Sequence, residues 1–150
     1  MTHTAEYEPD VQVESFGFLH GPVPEAHLVI DLRQHFKDPH VNPELRHKTA
    51  RDFEVREAVL ATPGINALLD SLAGAVEAFK AGPMGSVPLR VAIGCAGGRH
   101  RAATVAETLA ARLSEVHHLV VTLNHRDIDQ KVVERDQHGR HLGQPGRIVA

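Results

Sequence analysis

Cysteine is almost absent from this chain. Cys95 stands alone among 150 residues, which excludes an internal disulfide and any cysteine-rich zinc site and implies no oxidising compartment. Long apolar runs are missing too. No stretch reaches the roughly eighteen apolar residues that would begin to suggest a membrane span, and the N-terminus, MTHTAEYEPD, is acidic where a signal peptide would be basic and then apolar. The expectation is a cytoplasmic protein with no membrane partner. Neither H-E-x-x-H nor the P-loop pattern G-x-x-x-x-G-K-S/T occurs, so metalloprotease and ATP chemistry are not expected. Positive charge is not in excess either: 16 Lys and Arg against 19 Asp and Glu leave a net charge of −3, which argues against an indiscriminate nucleic-acid binder.

What is present is enough for one domain. A chain of 150 residues with 42% hydrophobic content is long enough to bury a sizeable core and too short for two. Its charge is uneven. Residues 1–30 carry five acidic and no basic residues, whereas residues 99–150 carry eight basic and six acidic ones, so a positive face on the second half is compatible with a negative whole.

The most informative stretch is LRVAIGCAGGRHR, residues 89–101. An apolar run stops at Gly94, a small-residue turn follows, and Arg99, His100 and Arg101 come as a helical pattern begins. That is the grammar of an anion site. A glycine-rich turn lets backbone N–H groups approach a ligand, the following helix adds unpaired N–H donors and the positive end of its dipole, and arginine offers a fork for phosphate oxygens. The expected phosphate contacts are Ala96, Gly97, Gly98, Arg99, His100 and Arg101.

In chain order, residues 1–10 read as a flexible start and VQVESFGF (11–18) as a strand. LVIDLR (28–33) reads as a buried strand that delivers Asp31 and Arg33 near its end. Residues 34–52 form a largely polar segment of nineteen residues with two prolines and three histidines, too long for a plain connection and therefore a candidate functional loop. Two helices follow. Asp52 or Thr49 is placed to cap the first, and Thr62 with Pro63 to open the second, whose buried face is Ile65, Leu68, Leu69, Leu72, Val76 and Phe79. A third helix after Arg101 carries Val105, Leu109, Leu113 and Val116 on one stripe, with alanines suited to close packing. HHLVVTLNHRD (117–127) returns as the last strand, and residues 136–150 read as a flexible tail, leaving a domain over 11–135.

This order specifies a small α/β domain, a mostly parallel sheet of about four strands flanked by helices. Ligands of such sheets gather at the carboxyl ends of the strands. The rule selects Asp31, Arg33, residues 94–101, His125 and Arg126 together. Twelve histidines invite a metal, but His117 and His118 on a regular strand would face opposite ways, and no metal or other cofactor is expected.

SFGF (15–18), Asp31-x-Arg33, the loop DPHVNPELRHKTARD (38–52), IGCAGGRHR (93–101) with its Ala-rich helix and the strand-terminal His125-Arg126 together resemble the C-terminal domain of the RapZ family of RNase adapter and nucleotide-binding proteins. The resemblance covers residues 13 to about 135. It implies a regulatory domain of phosphofructokinase-like fold that senses an amino-sugar phosphate such as glucosamine 6-phosphate, with small RNA as a further partner. By position the family's ligand segment falls on Gly94 to Arg101, with Arg33 and His40 as neighbours. Ala96 and Ala102 stand where the family usually has hydroxyl residues, and Asp38 where it has asparagine. For RNA the cations are Arg46, Lys48, Arg51 and Arg126, grouped with Arg33, Lys37, Arg99 and Arg101 if the loop closes over the carboxyl edge.

Two other readings use the same residues. Cys95-x5-Arg101 has the spacing of a cysteine-dependent phosphatase, with Cys95 as nucleophile, Arg101 as phosphate ligand and Asp38 or Asp127 as acid. The hydroxyl residue usual after the arginine and the histidine usual before the cysteine are absent, so binding is favoured over catalysis. The other is an interaction module that has lost its ligand. Sequence leaves the oligomeric state open.

Overall fold

Val11, Val13 and Ser15 alternate with Gln12 and Glu14, and this alternation makes β1 (Val11–Gly17) a strand with one side in the core. In the computed structural model, which describes residues 8–132, β1 is an inner strand of a four-stranded sheet. With β2 (Leu28–Asp31), β3 (Leu89–Cys95) and β4 (Val121–His125) it forms the order β2-β3-β1-β4, and every pairing is parallel. Val11 pairs with Leu89 and Val121, and Gly17 with Cys95. The four carboxyl ends therefore lie along one edge.

Three helices pack on one face: α1 (Phe53–Leu60), α2 (Ile65–Ala81) and α3 (Arg101–Glu115). Val11, Val13, Val91 and Ile93 from the sheet share a cluster with Leu69, Leu72, Val76, Val105, Leu109 and Leu113. The small side chains of Ala102, Ala103 and Ala106, all fully buried, let α3 sit close to the strands and touch β1, β3 and β4 as well as α1 and α2. On the opposite face Gln12, Arg90, Thr122 and Asn124 are exposed. The result is the expected single small α/β domain, with all helices on one side.

Several local expectations are corrected. β2 is an edge strand that stops at Asp31; Leu28 and Ile30 lean on the core while Val29 is 43% exposed, because only β3 pairs with it. α2 starts at Ile65, not at Pro63, since Gly64 takes a left-handed φ of 93° that breaks the turn before it. Asp52 holds the N-cap position of α1, but its carboxylate accepts the N–H of Thr49 rather than capping the helix. Phe79 and Val116 end their helical faces in solvent, at 47% and 66% exposure. His117 lies in the turn that ends α3 and His118, at φ 55°, in the connection after it, and β4 begins only at Val121. The flexible start expected over 1–10 lies largely, and the tail over 136–150 wholly, outside the described residues. Among the described residues no single helix is long and apolar enough to cross a membrane.

Candidate functional site

The turn after β3 is built on close backbone approach. Beyond the last paired residues the two inner strands stay together, with the N–H groups of Phe18 and Leu19 donating to the carbonyls of Cys95 and Ala96 at 2.9 and 3.1 Å. A Cβ on Gly17 would fall 2.5 Å from the Gly97 carbonyl carbon, and Gly98 has φ +77°. Both positions require glycine, the first for space and the second for backbone conformation.

Cys95 sits beneath this turn, 2% exposed. Its Sγ accepts the N–H groups of Gly98 at 3.3 Å and Ala102 at 3.4 Å, so the sulfur joins the turn to the first residues of α3. Thr104 N–H donates to the His100 carbonyl, and the Arg99 carbonyl is taken by Ala50 N–H at 2.8 Å. Among the described residues the N–H groups of Gly97, Arg99, His100, Arg101 and Ala103 meet no acceptor. They cluster at the N-terminus of a fifteen-residue helix, where the dipole favours negative charge.

The side chains of Arg99, His100 and Arg101 each hold a different piece of chain. Arg99 donates through Nη1 to the Gln130 carbonyl at 2.7 Å and through Nη2 to the His47 carbonyl at 2.9 Å. His100, 6% exposed, hydrogen-bonds the Lys48 carbonyl through Nε2 at 2.7 Å. A carbonyl only accepts, so Nε2 carries the proton, and burial lowers the imidazole pKa below its usual value despite the partial compensation from that carbonyl. Arg101, 3% exposed, donates from Nη1 to the carbonyls of Leu32, Arg33 and Phe36 at 3.0–3.1 Å, and Nη2 lies 3.2 Å from the Asp38 carboxylate. The Nε atoms of Arg99 and Arg101 are buried without a partner among the described residues.

The long loop is thereby drawn to the carboxyl edge. Within it a 3-10 turn, Pro39–Val41, is capped by Asp38, whose carboxylate accepts His40 N–H at 2.9 Å, and Arg46 Nε donates to the His40 carbonyl at 3.0 Å. Arg33 lies 3.7 Å over the Phe18 ring and pairs with Asp31, whose carboxyl that contact holds below the usual carboxylate range. Of the cations singled out for RNA, Lys48 is 3.8 Å from Glu54, Arg51 pairs with Asp129, and Arg126 pairs with Asp127 while reaching the Pro22 carbonyl. Ala96 is buried in the turn.

Sequence reasoning offered Asp127 only as an acid for the phosphatase alternative and missed its structural role. Asp127 is 3% exposed, and its carboxylate accepts Gly17 N–H at 2.7 Å and Arg126 Nε at 3.0 Å, tying the end of β4 to the end of β1. A carboxylate directly after a strand-terminal arginine was the available signal. Ser15 Oγ and His125 Nδ1 share a 2.6 Å hydrogen bond beside it, and burial lowers the His125 pKa. Nothing in this geometry supports the phosphatase alternative: Cys95 is buried, and three carbonyls and a carboxylate engage the terminal nitrogens of Arg101. Among the described residues no group of three or more His, Cys, Asp or Glu is placed to hold a metal ion.

Comparison with known proteins bears on this site. Residues 9–129 match the family model of the RapZ C-terminal domain. A nucleotide-binding protein of Thermus thermophilus is 42% identical over 124 residues, which cover 81% of this chain and 44% of that protein. One from Corynebacterium diphtheriae is 41% identical over 120 residues, covering 79% and 40%, and one from Corynebacterium jeikeium is 37% identical over 122 residues, covering 80% and 41%. The chain thus spans about two fifths of the length of these relatives.

Proposed function

The chain belongs to the RapZ C-terminal domain family, and from that premise we propose that it is a regulatory binding domain that takes a phosphorylated small molecule, an amino-sugar phosphate such as glucosamine 6-phosphate, at the turn from Gly94 to Arg101. The observation that carries this reading is that the N–H groups of Gly97, Arg99, His100, Arg101 and Ala103, and the buried Nε of Arg101, meet no acceptor among the described residues. Unmatched donors at a helix N-terminus are what a phosphate dianion satisfies. Phosphate recognition rests here on main-chain donors, with the side chains of Arg99, His100 and Arg101 shaping the rim, so the alanines at 96 and 102 remove hydroxyls without removing the cradle. In this reading His40 and Arg33 contribute to it from the loop. The relatives' designation as nucleotide-binding proteins supports a phosphorylated ligand in general; a nucleotide monophosphate is the competing choice.

RNA is the second partner in this proposal. Five of the cations on this face are matched by carboxylates (Arg33, Lys48, Arg51, Arg101 and Arg126), which reduces the charge left for a phosphate backbone.

A thermal-shift titration tests the main reading. Glucosamine 6-phosphate should raise the unfolding midpoint progressively with concentration, glucosamine should not, and adenosine monophosphate should do so less. Equal shifts by glucosamine and its phosphate would remove the anion site from the explanation.

A further inference from the structure

Asp38 is an acid inside a face read as anion-binding, and Coulomb's law alone makes it a liability there. Its contacts suggest why it is tolerated. One carboxylate oxygen lies 3.2 Å from Arg101 Nη2, and the other accepts the N–H of His40 at 2.9 Å. The same guanidinium holds the carbonyls of Leu32, Arg33 and Phe36. Arg101 itself is the first residue of α3. One side chain rooted in the helix N-terminus thus holds the two loop residues assigned to the proposed site: Arg33 through its own carbonyl, and His40 through Asp38.

We propose that Asp38, held by Arg101, is a positioning residue for the phosphate site, the middle of a relay that sets His40 against the N-terminal turn of α3. This rests on the anion-site reading above. The relay works by geometry. The ammonium of a lysine at 101 would offer three donors from one nitrogen in place of a planar fork, too few and too compact to hold three carbonyls and a carboxylate together. At 38, a carboxylate serves both a cation and a main-chain N–H, so alanine breaks both links at once.

The sign of the effect separates this relay from simple electrostatics. Removing the negative charge of Asp38 would, by charge alone, tighten anion binding. Loss of positioning weakens it. The test is an NMR titration of the full chain with inorganic phosphate, following the backbone amides of residues 97–101 and the imidazole ring of His40. In the unaltered protein both sets should shift along one binding curve. In Asp38→Ala the amides should still shift while the His40 ring no longer follows, and phosphate should bind about three- to tenfold more weakly, the scale of one charged hydrogen bond partly lost. Binding as tight as in the unaltered protein or tighter, with His40 still following, would overturn the relay. If circular dichroism shows Asp38→Ala unfolded, Arg101→Lys serves with the same criteria: uncoupling of His40 from the amides supports the relay, and a common curve at unchanged affinity refutes it. Absence of any amide shift over 97–101 in the unaltered protein would instead refute the phosphate site, and the relay with it.

Discussion

At the residue scale, the arginines and histidine of the site act first as structure. Arg101 is 3% exposed with a carboxylate partner and three carbonyls, so Arg101→Met should lower the unfolding free energy in urea by about 3 kcal/mol, because it strands Asp38 and three acceptors. A loss under 1 kcal/mol would mean that the clamp is dispensable. His100 and His125 both have pKa values held below the ordinary 6.5 by burial. The unfolded chain then binds protons that the folded chain refuses. Their contribution is therefore fully present above pH 6.5 and is lost as the pH falls below it towards the depressed folded values. Urea midpoints measured between neutral pH and pH 5 should decline on the acid side, and His100→Asn combined with His125→Asn should flatten that decline. These roles were hard to read from sequence. A guanidinium that binds phosphate and one that binds carbonyls look alike in a string of letters, and only the loop that folds back decides between them.

At the element scale, the site depends on how closely the β1 terminus approaches the turn before α3. Gly17→Ala would drive its Cβ to 2.5 Å from the backbone of Gly97, which only backbone movement relieves. Such overpacking should cost about 1–3 kcal/mol and displace the turn, seen as lost phosphate affinity together with a lowered midpoint. Leu109→Ala, under the same sheet but remote from the turn, should cost about 2–5 kcal/mol with phosphate affinity unchanged wherever the protein is folded. Equal effects of both variants on affinity would deny the turn its special place. The elements themselves were legible because Val11, Val13, Leu69, Leu72 and Leu109 obey the strand and helix periods. Ends were less so: Gly64 at φ 93° and His118 at φ 55° moved two boundaries, and Phe79 and Val116 continue an apolar stripe past the point where the fold has anything to cover it.

At the scale of the whole molecule, parallel topology brings Asp31, Cys95, Gly17 and His125 to one edge from four separate parts of the chain, and the order of apolar runs was sufficient to foresee this. The placement of the loop over 34–52 was not, since its polar residues carry no period; what fixes it is Ala50 N–H on the Arg99 carbonyl and the three clamps from 99–101. With many cations of that face already paired, RNA binding should be modest and fall steeply with salt. A fluorescence-anisotropy titration with structured RNA should show affinity at low ionic strength that phosphosugar competes away, and binding insensitive to both salt and phosphosugar would require a different surface.

The most direct measurement for the central claim is a crystal structure of the full chain grown with glucosamine 6-phosphate. We predict that its phosphate accepts hydrogen bonds from main-chain N–H groups within residues 97–103, with Arg101 Nε at its edge and His40 alongside. Phosphate density found only elsewhere, with those N–H groups turned to partners within the protein, would contradict it.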